Sequence, residues 1–302
     1  MMECMSANRP APKPGHLGNL LDEFLNLFRP SIDLAERLIA AKSNPQEIIL
    51  LMCARLDALA STIASEDQAN RAAFISLLVN YTGYRDLMRS VSVGDLYYEL
   101  GYHRWLAEGL IPKPGRVHKF SDLNDPVIEL LDRSGIPLTV DAAERFLARA
   151  MRALVANFRC RPGQPRAKAG IVKPGEVIAA FEAEFRRSVD AELRQNLKTA
   201  FQPLLDKKTV AAILYDRFRN SAVHGVRVDL DEMNFFAAQE PYWKPLYSEY
   251  YPSFRFLMFP AAFLVKLLRN CLGTVRQHLA ATQKLPPDVH FHIFGEFRVC
   301  SG

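Results

Sequence analysis

Apolar residues recur every third or fourth position over most of the chain, the spacing of helices that bury one face. LGNLLDEFLNLF and DLAERLIAAK predict two short helices that break at Pro30. PQEIILLMCARLDALASTIA, from Pro45 to Ala64, is apolar on most sides and predicts a central helix, with Pro45 in its first turn and Asn44 as its cap. Gln68 to Tyr81 predicts a further helix that stops near Gly83, and Tyr84 to Ser90 a shorter one. Leu147, Met151, Leu154 and Phe158 form one stripe of a helix from Asp141 to Phe158. Val177, Phe181, Phe185, Val189, Leu193, Leu197 and Phe201 recur every fourth residue, which predicts one long helix from Glu176 to Phe201, ended by Pro203. Lys207 to His224 and Pro260 to Thr282 complete the set.

Turn residues divide these runs. Gly94 to Pro137 holds PKPG, SGIP and several single glycines, and reads as loop with a short helix or two. EPYWKPLYSEYYPSF reads as an aromatic, proline-punctuated loop covering the core. Base stacking by Tyr242, Trp243, Tyr247, Tyr250, Tyr251 and Phe254 is its alternative role. VRVDLD, and VHFHIF from Val289 to Phe294, predict brief extended pieces. Strands and helices do not alternate and no repeat is present, so the class is all-α. The organisation expected is a disordered, proline-rich start over 1–16 and a helical domain over 17–285. A central insertion interrupts that domain at about 99–175, and a tail covers 286–302.

Composition narrows the setting. With 302 residues, 49% of them apolar, the chain supports a sizeable core. Cys4, Cys53, Cys160, Cys271 and Cys300 are scattered without a C-x-x-C pair, as expected of a reducing cytoplasm. The N-terminal residues carry no apolar signal segment. The longest apolar run, Phe256 to Val265, contains Pro260 and falls short of the roughly twenty residues that cross a membrane. The net charge of +5 is concentrated. Arg145, Arg149, Arg152, Arg159, Arg161, Arg166, Lys168 and Lys173 lie between Arg145 and Gly175 without one acid, leaving the rest of the chain net negative. An arginine stripe followed by a basic loop would track RNA phosphates without reading bases, although most such runs are plain solvated surface.

Candidate chemistry centres on LYDRFRNSAVHG, Leu214 to Gly225. An arginine followed after four to six residues by a histidine occurs from Arg9 to His16, from Arg217 to His224 and from Arg219 to His224. Chance supplies roughly two such matches in a chain of this composition. The last two share one histidine on a predicted buried helix, with Asn220 directly after Arg219. His290 and His292 alternate as on a strand but lack a third metal ligand nearby. Glycine-rich phosphate loops, H-E-x-x-H and G-x-S-x-G are absent from the sequence, which lowers NTPase, metalloprotease and hydrolase readings.

In Arg219, Asn220 and His224 the chain resembles the HEPN superfamily, whose signature is arginine, a polar residue, then histidine. Leu214, Tyr215, Phe218 and Gly225, and EIILLMCARLDALA from Glu47 to Ala60, are similar to HEPN members of abortive-infection and ApeA-like type. The resemblance spans Pro45 to Tyr98 and Val177 to Leu279. It implies a HEPN-like helical bundle with a loop-rich and helical insertion, acting as a metal-independent endoribonuclease in phage defence or a toxin system. It implies no metal or other cofactor, RNA as substrate, a homodimer whose two motifs line one cleft, and an antitoxin or regulator protein as partner. Histidine, with an ordinary pKa of about 6.5, suits proton transfer, and arginine suits the developing phosphorane charge. Asn220 would orient Arg219 or His224, with Arg217, Tyr215 and Asp57 in support.

Residues five apart on a regular helix are about 140° apart, so Arg219 and His224 cannot both face one phosphate squarely, whereas Arg217 and His224 would share a face. Asp57, inside an apolar helix, needs a cationic partner, and Arg217 and Arg219 are the options. The competing reading is an HEPN-like RNA-binding or protein-interaction module without turnover, and the plain reading of His224 is a helix-end charge or a satisfied core residue.

Overall fold

The computed structural model describes residues 14–64, 68–96, 170–183, 191–224, 228, 230–245 and 255–282. The basic stretch from Arg145 to Lys168, the helix expected from Asp141, most of the insertion, the tail over 286–302 and VHFHIF lie outside the described residues. Among the described residues the fold is all-α, with two small antiparallel sheets.

The chain opens with α1 (Pro14–Asn26) and α2 (Arg29–Ala40), and Pro30 sits in the first turn of α2, where its missing N–H costs nothing. Helix α3 (Pro45–Ile63) starts where expected: Asn44 takes a left-handed φ of 46° and its Oδ1 accepts the Glu47 N–H at 3.2 Å. Next come α4 (Asn70–Tyr81), α5 (Arg85–Arg89) and β1 (Val91–Ser92). Beyond the insertion lie β2 (Ile171–Val172), α6 (Pro174–Ala183) and α7 (Ala191–Lys207). Pro203 does not end α7 as its sequence predicts. Buried Phe201 and Leu205 hold the helix on both sides of it, and Gln202 donates to Asp206 at 2.6 Å along the turn that follows.

The motif helix runs through α8 (Val210–Ile213), a π-turn (Leu214–Arg219) and α9 (Asn220–Val223). Its start is tied to β1. The Val210 N–H donates to the Ser90 carbonyl, the Ser92 N–H to the Lys208 carbonyl, and Thr209 caps the first turn through Ala212 N–H. After it, Asp231 caps α10 (Glu232–Ala237), a helix that the VRVDLD pattern does not foretell.

The aromatic segment departs from expectation most. Tyr242–Pro245 forms β3, which pairs antiparallel with β4 (Arg255–Met258), Trp243 opposite Leu257. Pro241 precedes this strand and Pro245 is its last residue, positions at a strand end that a ladder tolerates. Tyr247, Tyr250, Tyr251 and Phe254 lie outside the described residues. Helix α11 (Ala261–Thr282) closes the described chain.

Helix α3 is the axis of the core: Ile48, Ile49, Met52, Cys53, Leu56 and Leu59 are fully buried. Each fully buried aliphatic side chain of this kind contributes roughly 1.5–3 kcal/mol of transfer free energy. Helices α4 and α11 pack on α3 with Phe74, Leu77, Phe263, Leu264 and Leu268. The motif helix adds Leu214 and Phe218, and Phe218 meets Phe259 edge-on at 5.2 Å. Apolar packing thereby fixes the inner side of the helix that carries the candidate chemistry.

Candidate functional site

The motif is built around a π-turn. The Asn220 N–H reaches back five residues to the Tyr215 carbonyl instead of four. Such turns are rare and hold one residue more than a regular turn, so side chains on either side of it are rotated relative to a continuous α-helix. Arg217 and His224, seven residues apart, differ in setting: Arg217 is engaged by neighbouring elements and His224 is exposed.

Arg217 turns towards the hairpin. Its Nη1 donates to the Leu257 carbonyl at 2.6 Å, its Nη2 to Asp95 Oδ1, and its guanidinium lies 4.8 Å from the Phe256 ring centroid. Asp95 is fully enclosed in the helical turn 93–96. Its other oxygen accepts from the Ser92 hydroxyl and from the Leu257 N–H at 3.3 Å. One carboxylate thus joins β1, β4 and the motif helix.

Arg219 turns the other way, towards α3. Its Nη2 donates to Asp57 Oδ2 at 2.7 Å and its Nη1 to Asn220 Oδ1 at 3.2 Å, while its guanidinium stacks 5.1 Å from the Tyr215 centroid. Of the two partners open to Asp57, Arg219 is the one engaged, and Asn220 bonds that same arginine. The hydrogen bond to Asp57 raises the Arg219 pKa, so the guanidinium is held more firmly in its charged form. Its side chain is 12% exposed, and among the described residues its buried Nε has no acceptor. That orphan donor sets Arg219 apart, because buried N–H groups are almost always paired.

Tyr215 is buried and serves two cations. Its ring meets Phe74 edge-on at 5.3 Å, and the Arg71 guanidinium of α4 lies 5.9 Å from the same centroid. Arg71 in turn holds Asp216 with two hydrogen bonds, Nε to Oδ1 at 3.2 Å and Nη2 to Oδ2 at 3.0 Å.

His224 ends the helix with φ −87° and ψ 9°, its N–H bonded to the Asn220 carbonyl at 3.0 Å. Its imidazole is exposed and, among the described residues, has no hydrogen bond or ion pair. It is therefore not a satisfied core histidine. The chain just beyond is anchored to α3 by Gln46, whose Nε2 donates to the Val228 carbonyl at 2.8 Å and whose Oε1 accepts the Val228 N–H at 3.1 Å.

The structure brings Arg219, Asn220, Tyr215 and Asp57 together, takes Arg217 to a separate anchor and leaves His224 at the surface. Arg71, Asp216, Asp95 and Gln46 escaped the sequence reading. Asp216 lies inside the motif window, but nothing local marks Arg71, Asp95 or Gln46, whose partners are 122 to 182 residues away. Among the described residues no three His, Cys, Asp or Glu side chains gather as they would around a metal ion, and no helix is long and apolar enough to cross a membrane.

Comparisons with protein-family models, with curated proteins and with solved structures find no match to this chain.

Proposed function

We propose that the chain is a metal-independent endoribonuclease of HEPN type. The observation that carries this reading is the division of roles along one helix end, with an anchored cation at Arg219 and an open imidazole at His224. In the reaction, the 2′-oxygen of RNA forms a bond to the adjacent phosphorus while the bond to the 5′-oxygen breaks. One proton leaves the 2′-hydroxyl and one reaches the departing 5′-oxygen. His224, open to solvent, transfers a proton, and Arg219 stabilises the charge on the phosphoryl oxygens. Asn220 and Asp57 orient Arg219 from two sides.

Residues five apart on a regular helix lie about 140° apart, so a single copy does not aim both side chains squarely at one phosphate. Two copies facing each other across a cleft would supply both groups to one phosphate, and the active form in this reading is a homodimer. The substrate is RNA, guided by the basic stretch from Arg145 to Lys168. The setting is bacterial phage defence or a toxin system in the cytoplasm, with an antitoxin or regulator protein restraining it.

One observation favours a second reading. Arg219 is largely buried and already ion-paired, as in a structural tie, which suits an RNA-binding or protein-interaction module of the same fold. Cleavage of a mixed pool of labelled RNAs in EDTA discriminates the two, with the native protein beside His224→Ala and Arg219→Ala and circular dichroism confirming that all are folded. Loss of cleavage in both variants, with 2′,3′-cyclic phosphate ends in the native products, supports the nuclease. A native protein that binds RNA without cutting it supports the module. Variants that cut as well as the native protein remove His224 and Arg219 from the active site.

A further inference from the structure

We propose that Arg71 is a second phosphate contact of this site, and that Asp216 occupies its guanidinium fork in place of an RNA phosphodiester. The choice of ligand rests on the RNA reading above. Asp216 presents two oxygens to Nε and Nη2 of Arg71, at 3.2 and 3.0 Å. A phosphodiester offers two non-bridging oxygens to the same planar donor pair. The position also fits: Arg71 and Arg219 stack on the one Tyr215 ring, and Asp216 lies in the π-turn three residues before Arg219.

Exposure makes the exchange feasible. The Arg71 and Asp216 side chains are 40% and 44% exposed, and ion pairs this open are weak and screened by salt. Arg217 and its enclosed partner Asp95 offer no such opening. When RNA takes the fork, Asp216 is released beside an anion of like charge, so the carboxylate restrains binding while the arginine promotes it. A pair of the same form, Arg276 with Asp22, joins α11 to α1, is equally open at 47% and 51%, and touches no motif residue. It provides an internal control.

The test uses a 2′-O-methylated RNA oligonucleotide, which binds but lacks the attacking hydroxyl, read by fluorescence anisotropy across a salt series on the full chain. Arg71→Gln is expected to weaken binding about fivefold and to lower the slope of log K against log salt by about 1. Arg71→Lys should keep the slope and recover only part of the affinity, because a point charge replaces a fork. Asp216→Asn should tighten binding roughly threefold. Arg276→Gln and Asp22→Asn should bind as the native chain does. Unchanged binding by Arg71→Gln, or an equal loss in Arg276→Gln, overturns the proposal, as does a native protein that does not bind the oligonucleotide. Cleavage is scored separately. Arg71-dependent binding by a protein that cuts nothing removes the nuclease reading and leaves the phosphate contact. Cleavage with Arg71-independent binding does the reverse.

Discussion

Arg217 and Arg219 are two residues apart on one helix, and both pair with a carboxylate, yet their surroundings differ in kind. Arg217 meets an aspartate that is 2% exposed and itself holds a serine hydroxyl and a strand N–H. Arg219 meets an aspartate that is 26% exposed, borrows a neighbouring amide and, among the described residues, keeps one buried N–H without an acceptor. The first arrangement satisfies its groups and ties three elements together. The second holds a charge in place and leaves one enclosed donor unused. Identical residue types in one motif helix therefore carry different work, and the partner's burial and bonds tell them apart.

The comparison breaks first at Asp95. Asp95→Ala strands Arg217 and orphans the Leu257 N–H, so unfolding in urea should reveal a loss of about 3–5 kcal/mol, the usual cost of an uncompensated buried charge. A loss no larger than that of an average surface substitution would remove the structural role given to Arg217. Asp57→Asn is expected to cost less, about 1–3 kcal/mol, because both partners retain some access to water.

A neighbouring thiol sharpens the same contrast. Burial pushes the Cys53 thiol up to about 12, Asp57 adds to the rise and Arg219 opposes it. A thiol in the unfolded chain ionises near pH 8.5, so between about 8.5 and the folded value the unfolded state holds fewer protons and stability falls as pH rises. The slope is at most about 1.4 kcal/mol per pH unit for this group. Thiolate ultraviolet absorbance should show Cys53 titrating at lower pH in Asp57→Asn and unmoved in Asp95→Ala. The reverse pattern would place the coupling on the wrong arginine. The smallest stability effect belongs to His224→Ala, within about 0.5 kcal/mol in the same melts, as for any exposed side chain without partners.

Much of this was legible in the sequence. Asn44 and Pro45 mark the start of α3 by local chemistry, and α3, α4 and α11 are announced by long runs rich in apolar residues between turn signals. Asp57 was recognisable as a partner for one of two arginines, because a carboxylate in an apolar helix demands one. The choice between them was not legible, since Arg217 is taken by Asp95, a partner 122 residues away in sequence. The hairpin was hidden because proline and aromatic residues also signal loops, and the ladder becomes evident only when β4 is beside β3. Pro203 misled because its local penalty is offset by the burial of Phe201 and Leu205, a tertiary effect.

The clamp that Gln46 places on Val228 bears on the order in which the molecule assembles. That pair spans 182 residues of chain, and the bond from Arg219 to Asp57 spans 162. Bringing such distant segments together costs chain entropy before either contact can form. Helices α3 and α4, neighbours along the chain, can pack on each other first and wait. The His224 end of the motif helix is then among the last parts to be built. In pulse-labelled hydrogen exchange during refolding, the amide of Val228 should acquire protection after those of Met52 and Leu56.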